Sequence, residues 1–239
     1  MNSSDTYFVI ANTSSSNWFG AIGGKTSYNN GIPGYPNTTC TTGYMDLYIR
    51  IDTNPNINAP GLYTNLSGIY DSSKGWVASG NDSSASYIEF DKSIMNTLMT
   101  AKTFSISFWF RVHNTNRHIL FGNATTAVYP LNIEYGSSKI RYYFASSPDL
   151  NGSTSISINT WYHFVLSVTS TGFKGYVNGN TDANYTSAPT FTQYTGNLRI
   201  GSDWRVDSGN NIFMGADISN FMIFDTALTA AQAKELYGK

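Results

Sequence analysis

Hydrophobic and polar residues alternate along most of the chain beyond residue 43, and the period is two. In FSISFWFRV (104–112), Phe104, Ile106, Phe108, Phe110 and Val112 share one face, while Ser105, Ser107, Trp109 and Arg111 share the other. That is the pattern of a strand with one face against a core. YMDLYIRID (44–52) repeats it, with Met45, Leu47, Ile49 and Ile51 opposed to Asp46, Tyr48 and Arg50. SASYIEFD, HILFG, YPLNIEYG, KIRYYFAS, WYHFVLSVT, GFKGYVNG, NLRIG and ISNFMIF add further strands. A short Gly-Ser turn joins YPLNIEYG to KIRYYFAS, and Asn178-Gly179 tolerates positive φ at both positions, which predicts a hairpin there. In the last of these strands Ile218, Asn220, Met222 and Phe224 are expected opposite Ser219, Phe221 and Ile223.

Only the end of the chain breaks the period. Thr229 with Gln232 three residues on fits a capping box, Ala230–Tyr237 are mostly helix formers, and Gly238 stands where a left-handed cap is expected. A helix this short is unstable alone, so it must dock, through Ala233, Leu236 and Tyr237. The pattern as a whole predicts an all-β protein: a two-sheet antiparallel sandwich with one short C-terminal helix and none before it. Residues 1–42 hold TYFVIA but are otherwise rich in turn formers. They are read as an N-terminal arm or attachment segment, with the sandwich domain over 43–239. A long Asn/Pro/Gly-rich connection is expected after residue 52.

Composition narrows the function. Of the 239 residues, 41% are hydrophobic and 15% aromatic, enough for a core, yet only 12% are charged and the net charge is −1. No basic run exists to neutralise phosphates, so no nucleic-acid partner is expected. No apolar stretch is long enough to insert in a membrane. The N-terminus lacks the basic and apolar regions of a signal peptide. Cys40 is the single cysteine and cannot form an internal disulfide. His113, His118 and His163 are scattered, without zinc spacing.

Several segments, in order, resemble one family. DSSKGW precedes SASYIEFD, followed by FSISFWFRV, NTWYHFVLSVTSTGFKGYVNGN, NLRIGSDW and GADISNFMIFDTALTAAQAKELY. Together they are similar to the concanavalin A-like jelly rolls, specifically the laminin-G-like (pentraxin-type) domains, over residues 44–239. The resemblance implies a jelly-roll sandwich that serves as a binding module for glycans or proteins, often with calcium at a rim. A calcium site here would draw on Asp71, Asp82, Asp217 and Asn220. Ser219, where relatives often carry an acid, counts against it, and no other cofactor is expected.

The same sandwich also carries glycosidases, so the site must be argued separately. Glycoside hydrolysis needs two carboxyl groups roughly 5–5.5 Å or 6.5–9.5 Å apart. The glutamates are Glu89, Glu134 and Glu235. Glu89 and Asp91 fall on one strand face, but no third acid completes the usual pattern, and no enzyme is expected. Trp161 and His163 read as packing residues, since no nucleophile motif lies beside them. The loop SDWRVDSGNN (202–211) is the strongest glycan candidate. Trp204 can cover the apolar face of a sugar ring, while Asp203, Arg205, Asp207, Asn210 and Asn211 meet its hydroxyls. Tyr129 and Trp109 are lesser candidates.

The function expected is therefore a non-enzymatic, lectin-like recognition module. It would bind a glycan or glycoprotein and be carried in many copies on a larger particle, such as a virion decoration or fibre at the extracellular surface. A purely structural, particle-associated protein and a glycoside hydrolase of the same fold are the alternatives.

Overall fold

Five side chains of Phe104–Val112 point into the interior with no exposure at all, and the rest of the fold is arranged around that strand. The computed structural model describes residues 71–123, 131–144, 150–203 and 212–238 with their side chains. Excepted are 75, 76, 90 and 94, given as backbone only, and 190, 192, 194 and 195. Residues 8–11, 18–22, 38–51 and 54–70 are described as backbone strands.

In chain order the strands are β1 (Phe8–Ala11), β2 (Trp18–Ile22), β3 (Thr38–Ile51), β4 (Asn54–Asp71), β5 (Gly75–Ser79) and β6 (Tyr87–Phe90). Helix α1 (Ser93–Ala101) precedes β7 (Phe104–Val112), β8 (His118–Asn123), β9 (Leu131–Gly136), β10 (Lys139–Phe144) and β11 (Leu150–Asn151). Then come β12 (Tyr162–Thr169), β13 (Gly172–Val177), β14 (Asn180–Tyr185), β15 (Leu198–Ile200), β16 (Ala216–Phe224) and α2 (Ala230–Tyr237). Two antiparallel layers result: β5-β16-β7-β12-β13-β14, and β6-β15-β8-β9-β10-β11. Strand β4 joins them, pairing with β5 through residues 67–71 and with β6 through 62–64. The layers enclose one aromatic core, in which Phe108 and Phe121 both stack on Phe221, each at 5.6 Å. This is the predicted two-sheet antiparallel sandwich. None of the helices among the described residues is long and apolar enough to cross a membrane.

Four local readings are corrected. Helix α1 is present where none was expected; it buries Met95, Leu98 and Met99 and ends at Lys102 in the left-handed conformation. Residues 18–22, read as loop, form β2 and pair with β1 in a separate two-stranded sheet. The connection expected after residue 52 is strand instead, because β4 runs back along β3 in a long hairpin. Strand β16 carries a bulge at Asn220, whose φ is 50°. The bulge shifts the register by one residue, so Ile218, Phe221 and Ile223 all reach the core, where strict alternation would have turned Ile218 away from the other two.

Hairpin β13–β14 turns on Asn178 and Gly179 with φ of 51° and 72°, as read from the sequence. Helix α2 has its capping box, but Gly238 ends it with φ of −76° rather than left-handed. Ala233 is fully buried beside Val165, Tyr176 and Leu228, on the outer face of the first layer. Leu236 is only half-buried there and Tyr237 is 40% exposed, so the expected burial of Leu236 is incomplete. The outward serines of the strands hold the preceding loop. Ser105 Oγ donates to Thr226 O and accepts from Leu228 N, both at 2.8 Å, and Ser167 Oγ donates to Leu228 O at 2.8 Å.

Candidate functional site

The outer face of the second layer carries a polar stripe assembled from five strands. Register places Glu89 of β6 beside Arg199 of β15, and Arg199 beside Gly122 of β8. On β9, Asn132 and Glu134 pair with Tyr143 and Arg141 of β10. At one end Arg199 Nε donates to Glu89 Oε2 at 2.7 Å, Asn197 Nδ2 donates to Glu89 Oε1 at 3.1 Å, and the guanidinium lies over the Tyr87 ring. At the other end Arg117 donates to Glu134 Oε2 through Nε at 2.7 Å and Nη2 at 2.6 Å, and Nη2 reaches the Tyr143 hydroxyl at 3.3 Å.

Asp203 sits between these ends. Its carboxylate accepts from Asn132 Nδ2 at 2.8 Å, and its backbone carbonyl accepts from Arg199 Nη1 at 3.3 Å. The approach requires Gly122, since a Cβ there would lie 2.9 Å from the Asp203 Cβ and 3.1 Å from Asn132 Oδ1. Asn132, Glu134 and Asp203 have no exposed surface, whereas Tyr87, Glu89, Arg117, Arg141 and Tyr143 are half-buried. Asn132 Oδ1 is buried with no hydrogen-bond partner among the described residues. A buried acceptor left unpaired is costly and calls for a physical explanation.

The sequence pointed to Asp203 as a ligand contact; the structure places it inside the sheet face as the anchor from which the loop departs. Trp204, Arg205, Asp207, Asn210 and Asn211, and also Tyr129, lie outside the described residues. Glu89, Asn132, Glu134, Arg117 and Arg199 were not singled out as a group.

The four calcium candidates do not form one ligand set. Asp71 accepts from Trp161 Nε1 at 3.0 Å, from Ser73 N and Oγ, and from Arg111 Nη1 at 3.2 Å. Burial pushes its carboxyl up, but these bonds and the Arg111 charge outweigh that and hold it at about 2. Asp217 accepts from the same Arg111 and lies 3.0 Å from His113 Nε2, so a cation already stands between the two aspartates. Burial raises the Asp217 carboxyl too, and hydrogen bonds from His113 and Ser79 hold it below its ordinary value. Asp82 belongs elsewhere, accepting from Asn114 and Asn116, each at 2.8 Å. Asn220 is the bulge residue. Among the described residues no group of three or more His, Cys, Asp or Glu is disposed to hold a metal.

Glu89 and Asp91 do not work as a pair. Asp91 lies past the strand and accepts from Ser93 N at the start of α1. His163 sits under α2, its Nε2 2.9 Å from Ser107 Oγ. Burial and the Lys74 charge lower it to about 4, so it is neutral at physiological pH. Trp109 is 9% exposed, with the Lys74 amine 3.2 Å above its ring.

Residues 81–234 match the family model Laminin_G_3, described as the concanavalin A-like lectin/glucanases superfamily. The chain belongs to this superfamily. No curated protein sequence matches the chain. Among solved structures, this concanavalin A-like chain is similar to a Trypanosoma rangeli sialidase in complex with sialic acid. That match has a TM-score of 0.57 and 12% identity, over 97% of this chain and 32% of that one. It is similar to a mutant of HCR D/C, with a TM-score of 0.60 and 15% identity, over 82% of this chain and 51% of that one. The botulinum neurotoxin type G receptor binding domain follows at TM-score 0.52 and 16% identity, over 68% and 42%. The chain thus spans a third to a half of these proteins, and identities this low establish the fold alone.

Proposed function

We propose that this chain is a non-enzymatic glycan-recognition module of the concanavalin A-like superfamily. It contacts its ligand through the loop that leaves Asp203 and through the half-exposed ends of the polar stripe. One observation carries the reading: Asn132 and Arg199 pin Asp203 from a buried, polar sheet face. The sequence that follows Asp203 carries Trp204 with several amides and acids, residue types that offer an aromatic surface and hydroxyl partners to a sugar. Among the described residues, the stripe's carboxylates are engaged in structural contacts, Glu89 with Arg199, Glu134 with Arg117 and Asp203 with Asn132, which supports a binding role. Glu89 and Glu134 stand three strand spacings apart, about 14 Å, beyond the roughly 9.5 Å reach of a glycosidase pair. Weak single-site affinity would be multiplied by carriage in many copies on a particle such as a virion, since linked sites gain avidity.

Screening the full chain on a glycan array, then titrating the strongest neutral ligand, tests this. Trp204→Ala is expected to abolish binding with the melting temperature nearly unchanged, and Asn132→Ala to weaken it by releasing Asp203. Absence of any glycan ligand would favour the purely structural role, and turnover of a polysaccharide the hydrolase.

A further inference from the structure

A second groove, largely apolar with a few polar groups, lies on the opposite side of the molecule, between the 227–230 segment that leads into α2 and the outer face of β12–β14. It encloses about 470 Å³, within the range of small-ligand sites of about 300–1,000 Å³. Register aligns Ser167, Lys174 and Asn184 in one row across the three strands. Lys174 and Asn184 line the groove with no side-chain partner among the described residues. Tyr176 also lines it. Its ring is packed in the apolar cluster under α2 and only 3% exposed, yet its hydroxyl has no hydrogen-bond partner among the described residues. Burial raises the phenol further above its ordinary value, so the group stays a donor.

The charge of the groove is one-sided. No acidic residue lines it, and α2 has none in its first turn. The N–H of Ala230, the first residue of the helix, has no intrahelical acceptor and sits at the positive end of the helix dipole. Ammonium, phenol hydroxyl and helix N-terminus all offer donors, while Asn184 can serve as donor or acceptor. Half-buried Tyr185, stacked on Phe173 at 5.3 Å, adds aromatic surface at one end.

We propose that this groove binds an acidic sugar, its carboxylate held by Lys174, the Tyr176 hydroxyl and the N-terminus of α2, and its ring hydroxyls by Asn184 and Ser167. Charge-assisted hydrogen bonds to a carboxylate are the strongest such a site can make, so the negative charge dominates selection. The groove is on the other layer from the polar stripe, and its occupation does not depend on ligand binding there.

Calorimetric titration of the full chain with a glucuronate-terminated disaccharide, its methyl ester and a sulfated disaccharide tests the proposal. Lys174→Gln is expected to weaken binding of the acid by about tenfold or more, and Tyr176→Phe severalfold, as for hydrogen bonds to a charged group. Phe keeps the ring in its cluster, so the fold survives, and a thermal melt verifies this. The methyl ester binds about tenfold more weakly, added salt weakens the acid, and Lys92→Gln behaves as wild type. Equal binding of acid and ester, insensitivity to Lys174→Gln, preference for the sulfated sugar, or no binding at millimolar acid would each overturn it. Loss of neutral-glycan binding on Trp204→Ala, with acid binding retained, separates this groove from the stripe.

Discussion

Asp71 illustrates how a single side chain can be committed to structure. The turn that contains it places Ser73 and Lys74 N–H groups on its carboxylate, and the fold adds Trp161 and Arg111. With the folded carboxyl at about 2 and the unfolded one at about 3.9, the folded state prefers the ionised form. The stability this provides is in place above about pH 4 and drains as pH falls toward 2. Asp71→Asn is expected to lower the melting temperature at neutral pH and to flatten its decline between about pH 4 and 2. Melts across that range decide the matter, and an unchanged slope would contradict the assignment. The sequence singled Asp71 out for calcium. Nothing local could show that Arg111, some forty residues on, supplies the cation instead.

At the scale of elements, α2 was legible because its signals are local: Thr229 and Gln232 form the capping box and Ala233 faces the sheet. Thr229→Ala is expected to cost about 1 kcal/mol through the lost cap. Leu236→Ala should cost less than the roughly 2–5 kcal/mol of a fully buried leucine, because the side chain is only half-buried. Ala233→Asp places a charge at the closed contact with Val165 and Tyr176 and is expected to destabilise more than either. Urea denaturation ranks the three, and a Leu236→Ala loss larger than that of Ala233→Asp would refute this docking. Helix α1 was missed although Met95, Leu98 and Met99 carry the spacing of a buried helical face. In so short a segment the period competes with a strand-rich context. The Asn220 bulge was illegible because alternation assumes an unbroken pleat.

Over the whole molecule, strand periodicity and the order of family-like segments were enough to define two layers. The stripe was not readable, for a topological reason. Glu89, Arg117, Asn132, Glu134, Arg199 and Asp203 come from separate parts of the chain, and only the β6-β15-β8-β9-β10 neighbourhood brings them together. Alternation assigns such residues to solvent, whereas the fold buries Asn132, Glu134, Arg199 and Asp203. The central claim is that recognition is built on this face. Hydrogen-exchange mapping of the full chain with its strongest neutral glycan tests that claim most directly. The account predicts added protection across residues 199–211 and at the stripe ends around 87–89, 117 and 141–143, with α2 unaffected. Protection confined to the outer face of the other layer, or none at all with ligand saturating, would contradict it.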